Sequence, residues 1–414
     1  MRRDHERRRD ARHRGRQDHR PDTRRRRQPG HPHPARRQRG TGRADPHRRA
    51  DGHQRRRARA DDRACVHVQP RPARFPRPRR TRTPALARRG RITGRRRSEL
   101  TAVRVAIVGA GLAGLVAGRA LQAAGATVQL FDKGRSPGGR LATRRIGGAT
   151  VDHGAQFFTA RTPAFARQVA EWQSRGLVRV WSRGFGDNDG HDRYVGTDGM
   201  NSLAKDLARG QSVSCSTMAF AVRPTGDGGW KVVLDDGAEH AADAVIVTCP
   251  LPQAFALLID SGVDLDESVF RVDYDRTIGF LARLDGPAAL PPTGGVQNGD
   301  EVFSFIGDNA HKGISTEPAV TFHASPAWSE ANWHEDHDTL ARLLTTAARP
   351  WLGASTIVEH QLKKWRLATP RTIWPDPCWT TAGGRIVVAG DAFAGPRVEG
   401  AHNSGLAAAH ALLG

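Results

Sequence analysis

Two stretches of this chain have the residue types and spacing to hold a phosphorylated cofactor, and a third imitates a metal site. Gly109-Ala110-Gly111-Leu112-Ala113-Gly114 is G-x-G-x-x-G. The first glycine permits a tight turn, the second lets a pyrophosphate approach the backbone, and the third lets the following helix pack close to the strand before it. Asp132 lies roughly 20 residues beyond the glycines, where an acid holds a ribose diol. Gly138-Gly139-Arg140 then offers two residues without side chains and a guanidinium that can pair with phosphate. His334-Glu335-Asp336-His337 lacks the H-E-x-x-H spacing that sets two imidazoles one helical turn apart. It reads as a solvated helix start, and no metal is expected.

These groups need elements to place them. Val103 to Val108 (VRVAIV) reads as a buried strand, because β-branched residues dominate it without polar alternation. The next helix carries its apolar face at Leu112, Leu115, Val116, Ala120 and Leu121 and closes at Gly125; Thr127 to Phe131 is a second strand ending at Asp132. That order separates a dinucleotide site from mere close packing of a helix start. Further along, Arg145 to Val151 reads as a hairpin, Phe165 to Trp181 as a helix and Gly184 to Gly190 as a glycine and Asp loop. Ser202 to Ala208 reads as a helix, and Val213 to Val222, Trp230 to Leu234 and Ala244 to Thr248 as strands. Four antiparallel strands are expected at Thr277 to Leu284, Val302 to Ile306, Val320 to His323 and Ile357 to Leu367. Leu340, Leu343, Leu344 and Ala347 form a helical stripe stopped by Pro350. Arg385 to Ala389 is the last expected strand and Leu406 to Leu413 the last helix.

The formal net charge of +23 would ordinarily suggest nucleic acid or an acidic membrane surface, but the charge is all at one end. Residues 1–100 hold 36 Arg, no Lys and 10 acidic residues, leaving 29 basic and 32 acidic residues to the rest. This stretch has almost no aliphatic periodicity and is expected to be disordered. A nucleic-acid arm would carry stacking aromatics, and only Phe75 is present. A signal peptide would need an apolar core, and an organellar presequence would lack the acids. Arg without Lys is what GC-rich DNA read upstream of a true start would give, with Val103 as the initiator from a GTG codon; that is the favoured reading. Cys65, Cys215, Cys249 and Cys378 show no paired spacing, so free thiols are expected. No apolar run reaches transmembrane length, so a soluble, cytoplasmic protein is expected.

Five motifs in order carry a family resemblance. Asp132-Lys133-Gly134-Arg135-Ser136-Pro137-Gly138-Gly139-Arg140 resembles the acid-x(5)-G-G-R segment of FAD proteins in the flavin amine oxidase superfamily. G-G-R-L-A-T-R-R (138–145) followed by V-D-H-G-A-Q-F-F-T-A-R (151–161) resembles its renalase-like branch. Val195-Gly196-Thr197-Asp198-Gly199-Met200-Asn201, Lys364-Trp365-Arg366-Leu367-Ala368 and the run Gly390-Asp391 to Ser404-Gly405 are similar to later motifs of that family. Together they span about 103 to 413.

The resemblance implies an α/β fold: a Rossmann-type FAD-binding domain with a parallel sheet (103–160, 196–261 and 376–414) and an interleaved α+β substrate domain with an antiparallel sheet (161–195 and 262–375). It implies noncovalent FAD held by Gly109, Ala110, Gly111, Leu112, Ala113 and Gly114, then by Asp132, Lys133, Gly139 and Arg140. Gly154, Ala155, Gln156 and Phe157 would pass beside the flavin ring, Met218 would meet the adenine through its backbone, and Asp391 would bind the ribityl or pyrophosphate portion. Gly400, Ala401 and Ser404 would open a helix whose N-terminus favours negative charge on the reduced ring. Gln156, Trp365 and His402 are the candidates for lining the flavin. His153 is readable as a base or as a hydrogen-bonded strand-end histidine; hydride transfer does not demand a protein base. The implied activity is oxidation of a small molecule, such as a dihydronicotinamide dinucleotide isomer, with dioxygen as acceptor. A small amine is the alternative substrate, although Tyr194 and Tyr274 are the only tyrosines from which to build a cage. An Arg-rich nucleic-acid-binding protein on a flavin-fold scaffold is the alternative of another class.

Overall fold

The computed structural model describes residues 103–186, 190–381, 383–393 and 395–414. The Arg-rich stretch, with Cys65 and Phe75, and the middle of the Gly184 to Gly190 loop lie outside the described residues.

The chain begins with β1 (Arg104–Val108), α1 (Leu112–Ala123) and β2 (Thr127–Phe131), then the hairpin β3 (Thr143–Ile146) and β4 (Ala149–Asp152). Next come α2 (Pro163–Ser174), β5 (Val178–Ser182), β6 (Arg193–Gly196), α3 (Asn201–Ala208) and β7 (Ser212–Ser214). The ribbon β8 (Ala219–Pro224), β9 (Trp230–Leu234) and β10 (Glu239–Ala242) precedes β11 (Ala244–Val247), α4 (Leu251–Leu258) and α5 (Glu267–Phe270). Then follow β12 (Tyr274–Leu284), β13 (Gly295–Gln297), β14 (Phe303–Asp308), β15 (Ala319–Ala324), α6 (Pro326–Ala331) and α7 (His337–Ala348). The chain closes with β16 (Ile357–Pro370), β17 (Trp379–Thr380), β18 (Ile386–Val388) and α8 (Val398–Leu413).

Strands β18-β11-β1-β2-β7 run parallel in one sheet, and β17 is antiparallel at its edge. Strand alternation divides its apolar residues between two cores. Val105, Ile107, Ile246 and Val387 pack with Leu115, Leu121 and Ala408 on the α1 and α8 side. Ala106, Val108, Val245 and Val388 pack with Val222, Val232, Leu257 and Phe270 on the other. The second sheet, β13-β14-β15-β12-β16, is antiparallel throughout. Ile278, Phe280 and Phe322 cover its α7 side with Leu340 and Leu344, while Leu281 and Ala319 meet Ile146 and Val151 of the hairpin on the opposite side. Among the described residues no helix is long and apolar enough to cross a membrane.

Three expectations need correction. The helix from Phe165 ends at Ser174: Gly176 takes φ +70°, its N–H bonds Gln173 O and Leu177 N–H bonds Trp172 O, which closes the helix as a Schellman motif. The strand expected at Val213 to Val222 is two strands. Ser216 adopts φ +53°, and Ser216 and Thr217 donate their N–H groups to Gly134 O and Asp132 O, which draws the chain out of the sheet between β7 and β8. Helix α8 starts at Val398, so Gly400 to Ser404 lie within its first two turns. Phe165, Val169 and Trp172 of α2 pack in the core that contains Leu115 and Leu121.

Candidate active site

The glycine motif forms the turn between β1 and α1. Gly109 has φ +105° and donates its N–H to Phe131 O at 2.8 Å, while a side chain on Gly114 would collide with the Gly109 carbonyl. Gly111 is the N-cap of α1, without a capping side chain, and a Cβ there would meet nothing within 4 Å. That open approach to an uncapped helix N-terminus suits a diphosphate. At the end of β2 the Asp132 carboxylate is fixed by two N–H donors, Ala110 and Gly134, both at 2.7 Å, which orients it and leaves lone pairs for a diol. Gly138 binds back to Ala110 O at 2.8 Å, and Gly139 takes φ +53° beside Gly111. Lys133 is exposed at this end.

Arg140 and Asp391, both assigned to the cofactor from sequence, meet each other. The guanidinium grips both carboxylate oxygens, at 2.6 and 2.7 Å, and donates to Ala368 O at 3.0 Å. Gly154 passes so close to Arg140 that a Cβ would strike its carbonyl, and Ala155 N–H donates to that same oxygen at 2.8 Å. Gln156 is buried and curls back, donating to Asp152 O at 2.8 Å and Gly154 O at 3.2 Å. Its Oε1 accepts from Lys312 Nζ at 3.1 Å, and Lys312 also pairs with Asp152 Oδ2 at 3.1 Å. Both members of that ion pair are fully enclosed, and the ammonium lies 5.2 Å from the Trp181 ring centre. Phe157 joins Trp181, Phe185 and Phe305 in an aromatic group.

The other wall is the hairpin-facing side of the antiparallel sheet. Trp365 donates Nε1–H to His153 O at 2.8 Å and stacks on the His153 ring at 5.5 Å. Burial first, then Arg144 and Lys363, pushes His153 down to about 3, so its ring is neutral. His323 is likewise held down, to about 4, mainly by burial. Lys363 lies 5.0 Å over Trp365, and Arg144 donates to Gln361 Oε1 at 2.7 Å. Gly279 is paired with both His323 and Lys363, and the nearest atom to a Cβ placed there is 3.6 Å away.

The remaining sequence candidates are placed differently. Gln156 and Trp365 both grip the 152–154 backbone, whereas His402 packs its ring 5.0 Å from Phe165, between α8 and α2. Ser404 Oγ accepts from Gly390 N–H at 2.9 Å and donates to Pro377 O at 2.6 Å, so its hydroxyl ties α8 to the strand end. Gly400 touches the Gly395 backbone, with Ala401 next to it in the first turn of α8. Met218 lies in the link before β8, its N–H donating to Asp235 Oδ1 at 3.3 Å and its C=O accepting from Asp235 N–H at 2.9 Å, so an adenine could still donate to the carbonyl's second lone pair. Asp336 is the N-cap of α7, accepting from Thr339 N–H at 2.9 Å, and among the described residues no cluster of three His, Cys, Asp or Glu could hold a metal. Lys312, Gly279, His323 and the Arg144 and Lys363 pair were not singled out from sequence.

A Rossmann half with this cradle, joined to an antiparallel sheet across the 153–156 segment, defines the class: an FAD-dependent oxidoreductase. Residues 107–172 match the NAD(P)-binding Rossmann-like domain, and residues 179–413 match the flavin containing amine oxidoreductase family. The chain belongs to the flavin containing amine oxidoreductase family. Mouse (Mus musculus) renalase is 29% identical over 169 residues, 37% of this chain and 49% of that protein, so the match spans about half of the relative's length. A putrescine oxidase solved with putrescine bound superposes with a TM-score of 0.56 at 15% identity, covering 75% of this chain and 99% of that one. A candidate protoporphyrinogen oxidase from Exiguobacterium sp. gives 0.54 at 14%, covering 74% and 98%. These structures show the shared fold. The family's FAD is the cofactor, and the glycine cradle, uncapped helix end and fixed Asp132 fit it.

Proposed function

We propose that the protein oxidises isomeric dihydronicotinamide dinucleotides, with bound FAD supplying a hydride acceptor whose electrons pass to dioxygen as hydrogen peroxide. The observation that carries this reading is the charge of the wall. Asp152 and Asp391, beside the 153–156 segment, are each bound to a cation, Lys312 and Arg140. Arg144 and Lys363 have no carboxylate partner among the described residues. A protonated amine would therefore meet positive charge at this wall, where Asp152 and Asp391 are already paired, while a phosphorylated substrate is drawn in. Trp365 and His153 offer a flat surface for a planar ring, and the neutral His153 adds no further charge.

In this reading residues 109–114, Asp132 and Lys133 hold the adenosine and diphosphate, and the 154–157 segment and the start of α8 hold the flavin. Residues 103–160, 196–261 and 376–414 then form the cofactor portion. Gln156 and Trp365 orient the reacting rings and exclude water. The free thiols Cys215, Cys249 and Cys378 suit a cytoplasmic setting.

The flavin spectrum of the anaerobic protein tests this as dihydronicotinamide isomers and then primary amines are added. Rapid bleaching by the isomers is expected, with peroxide released on admitting air. Bleaching by amines alone would replace the proposal with the amine reading.

A further inference from the structure

The rim of this wall holds more positive charge than the described residues neutralise. Gln361, Lys363 and Trp365 alternate along β16, so they share one side of the strand, about 7 Å apart at each step. Arg144 on β3 reaches the first of them, donating Nη1–H to Gln361 Oε1 at 2.7 Å. Lys363 lies over Trp365 at 5.0 Å. Both cations are half-buried. Burial and then neighbouring positive charge lower both, from Arg135 on Arg144 and from Arg144 and Lys133 on Lys363. Assembling such charges without a counter-ion is unfavourable, and a bound anion reverses the sign.

Two further observations point to a ligand. Among the described residues Nδ1 of His153, a residue 6% exposed, has no partner. On the same side of the sheet Gly279, paired with His323 and Lys363, presents no side chain, and a Cβ there would come into contact with Lys363 O at 3.6 Å and His323 Cδ2 at 3.7 Å.

We propose that Arg144 and Lys363 form an anion subsite that holds a phosphate group of the substrate beside the stacked Trp365 and His153 rings. The subsite rests on the functional reading above and identifies the part of the substrate that is recognised there. Phosphate at this place could also come from the diphosphate of FAD itself, the group assigned to Lys133 and the glycine turn, so the experiment separates the two sources.

The FAD-loaded full chain is titrated with ADP and, in parallel, with adenosine, followed by calorimetry and by perturbation of the flavin absorbance. ADP should bind, compete with the substrate and be preferred to adenosine. In the double variant Arg144→Gln with Lys363→Gln, ADP binding should weaken about a hundredfold, two charge-assisted contacts at about tenfold each. The preference over adenosine should collapse, while Arg144→Lys with Lys363→Arg should keep most of it. The dissociation constant for FAD, read by fluorescence on the apoprotein, should stay within about threefold of wild type. No ADP binding by the wild type, or an unchanged ADP preference in the neutral variant, overturns the subsite. Loss of FAD affinity in step with loss of ADP would assign the charges to the cofactor and overturn it equally. If dihydronicotinamides fail to bleach the flavin but ADP binding still depends on Arg144 and Lys363, the subsite stands and the substrate reading falls.

Discussion

At the scale of single residues, burial decides which groups around the site carry charge. Lys312 is fully enclosed and burial lowers its pKa, but the Asp152 carboxylate and the hydrogen bond to it push back. Among the described residues no carboxylate charge offsets the burial of His153 or His323. Burial brings them to about 3 and about 4, and Arg144 and Lys363 beside His153, and Lys312 beside His323, add to the fall. In the unfolded chain both rings titrate near 6.5. Between pH 6.5 and about 4 the unfolded chain thus takes up protons that the folded chain refuses. Stability from these rings is complete above the unfolded value and is lost as pH falls, by about 1.4 kcal/mol per pH unit for each histidine. Urea midpoints should therefore drop between pH 7 and pH 5. Replacing His323 by Gln should flatten the drop, and an equally steep slope in that variant would show that the ring is protonated in the folded protein.

At the scale of elements, two glycines do different work. A methyl at Gly154 would strike the Arg140 carbonyl, which is backbone and cannot step aside, so Gly154→Ala should destabilise the apoprotein by about 1 to 3 kcal/mol. A methyl at Gly111 meets nothing, so Gly111→Ala should leave the apoprotein melting nearly unchanged yet reduce FAD affinity at least tenfold, by occupying the diphosphate approach. Thermal melts of both apoproteins beside FAD titrations check the contrast; equal melting losses would contradict it. The glycine turn was legible in the sequence because its geometry is local, set by β1, α1 and β2 within 30 residues. The end of α2 was misread because the apolar spacing of Phe165, Val169 and Trp172 continues into Leu177, and only Gly176 interrupts it. Lys312 could not be read at all. In Asp308-Asn309-Ala310-His311-Lys312-Gly313 it has the sequence of a solvated turn, and its burial is fixed by Asp152 and Gln156, 160 and 156 residues away.

For the described fold as a whole, the question is what couples the parallel sheet to the antiparallel one. Arg140 follows β2, Asp391 follows β18, and Ala368 lies near the end of β16, so one guanidinium binds segments from both sheets. The pair is partly shielded, with Asp391 13% and Arg140 31% exposed, which makes it stronger than a surface pair and costly to break on one side. Asp391 lies beside the Gly390 to Ser404 hydrogen bond that anchors α8, the helix whose first turn would hold the flavin in the proposed reading. The pair therefore links the cofactor site to the joint between the sheets. Arg140→Gln should lower stability by about 1 to 3 kcal/mol, and the loss should be larger in FAD-loaded protein than in apoprotein, because bound cofactor stabilises only the native joint. Calorimetric melts with and without FAD measure both quantities. If the variant loses the same amount in either state, Arg140 serves the fold alone; if it loses nothing in the apoprotein and everything in the FAD-loaded form, the guanidinium belongs to the cofactor and the sheets are held together by the hairpin packing of Leu281 on Ile146 and Val151.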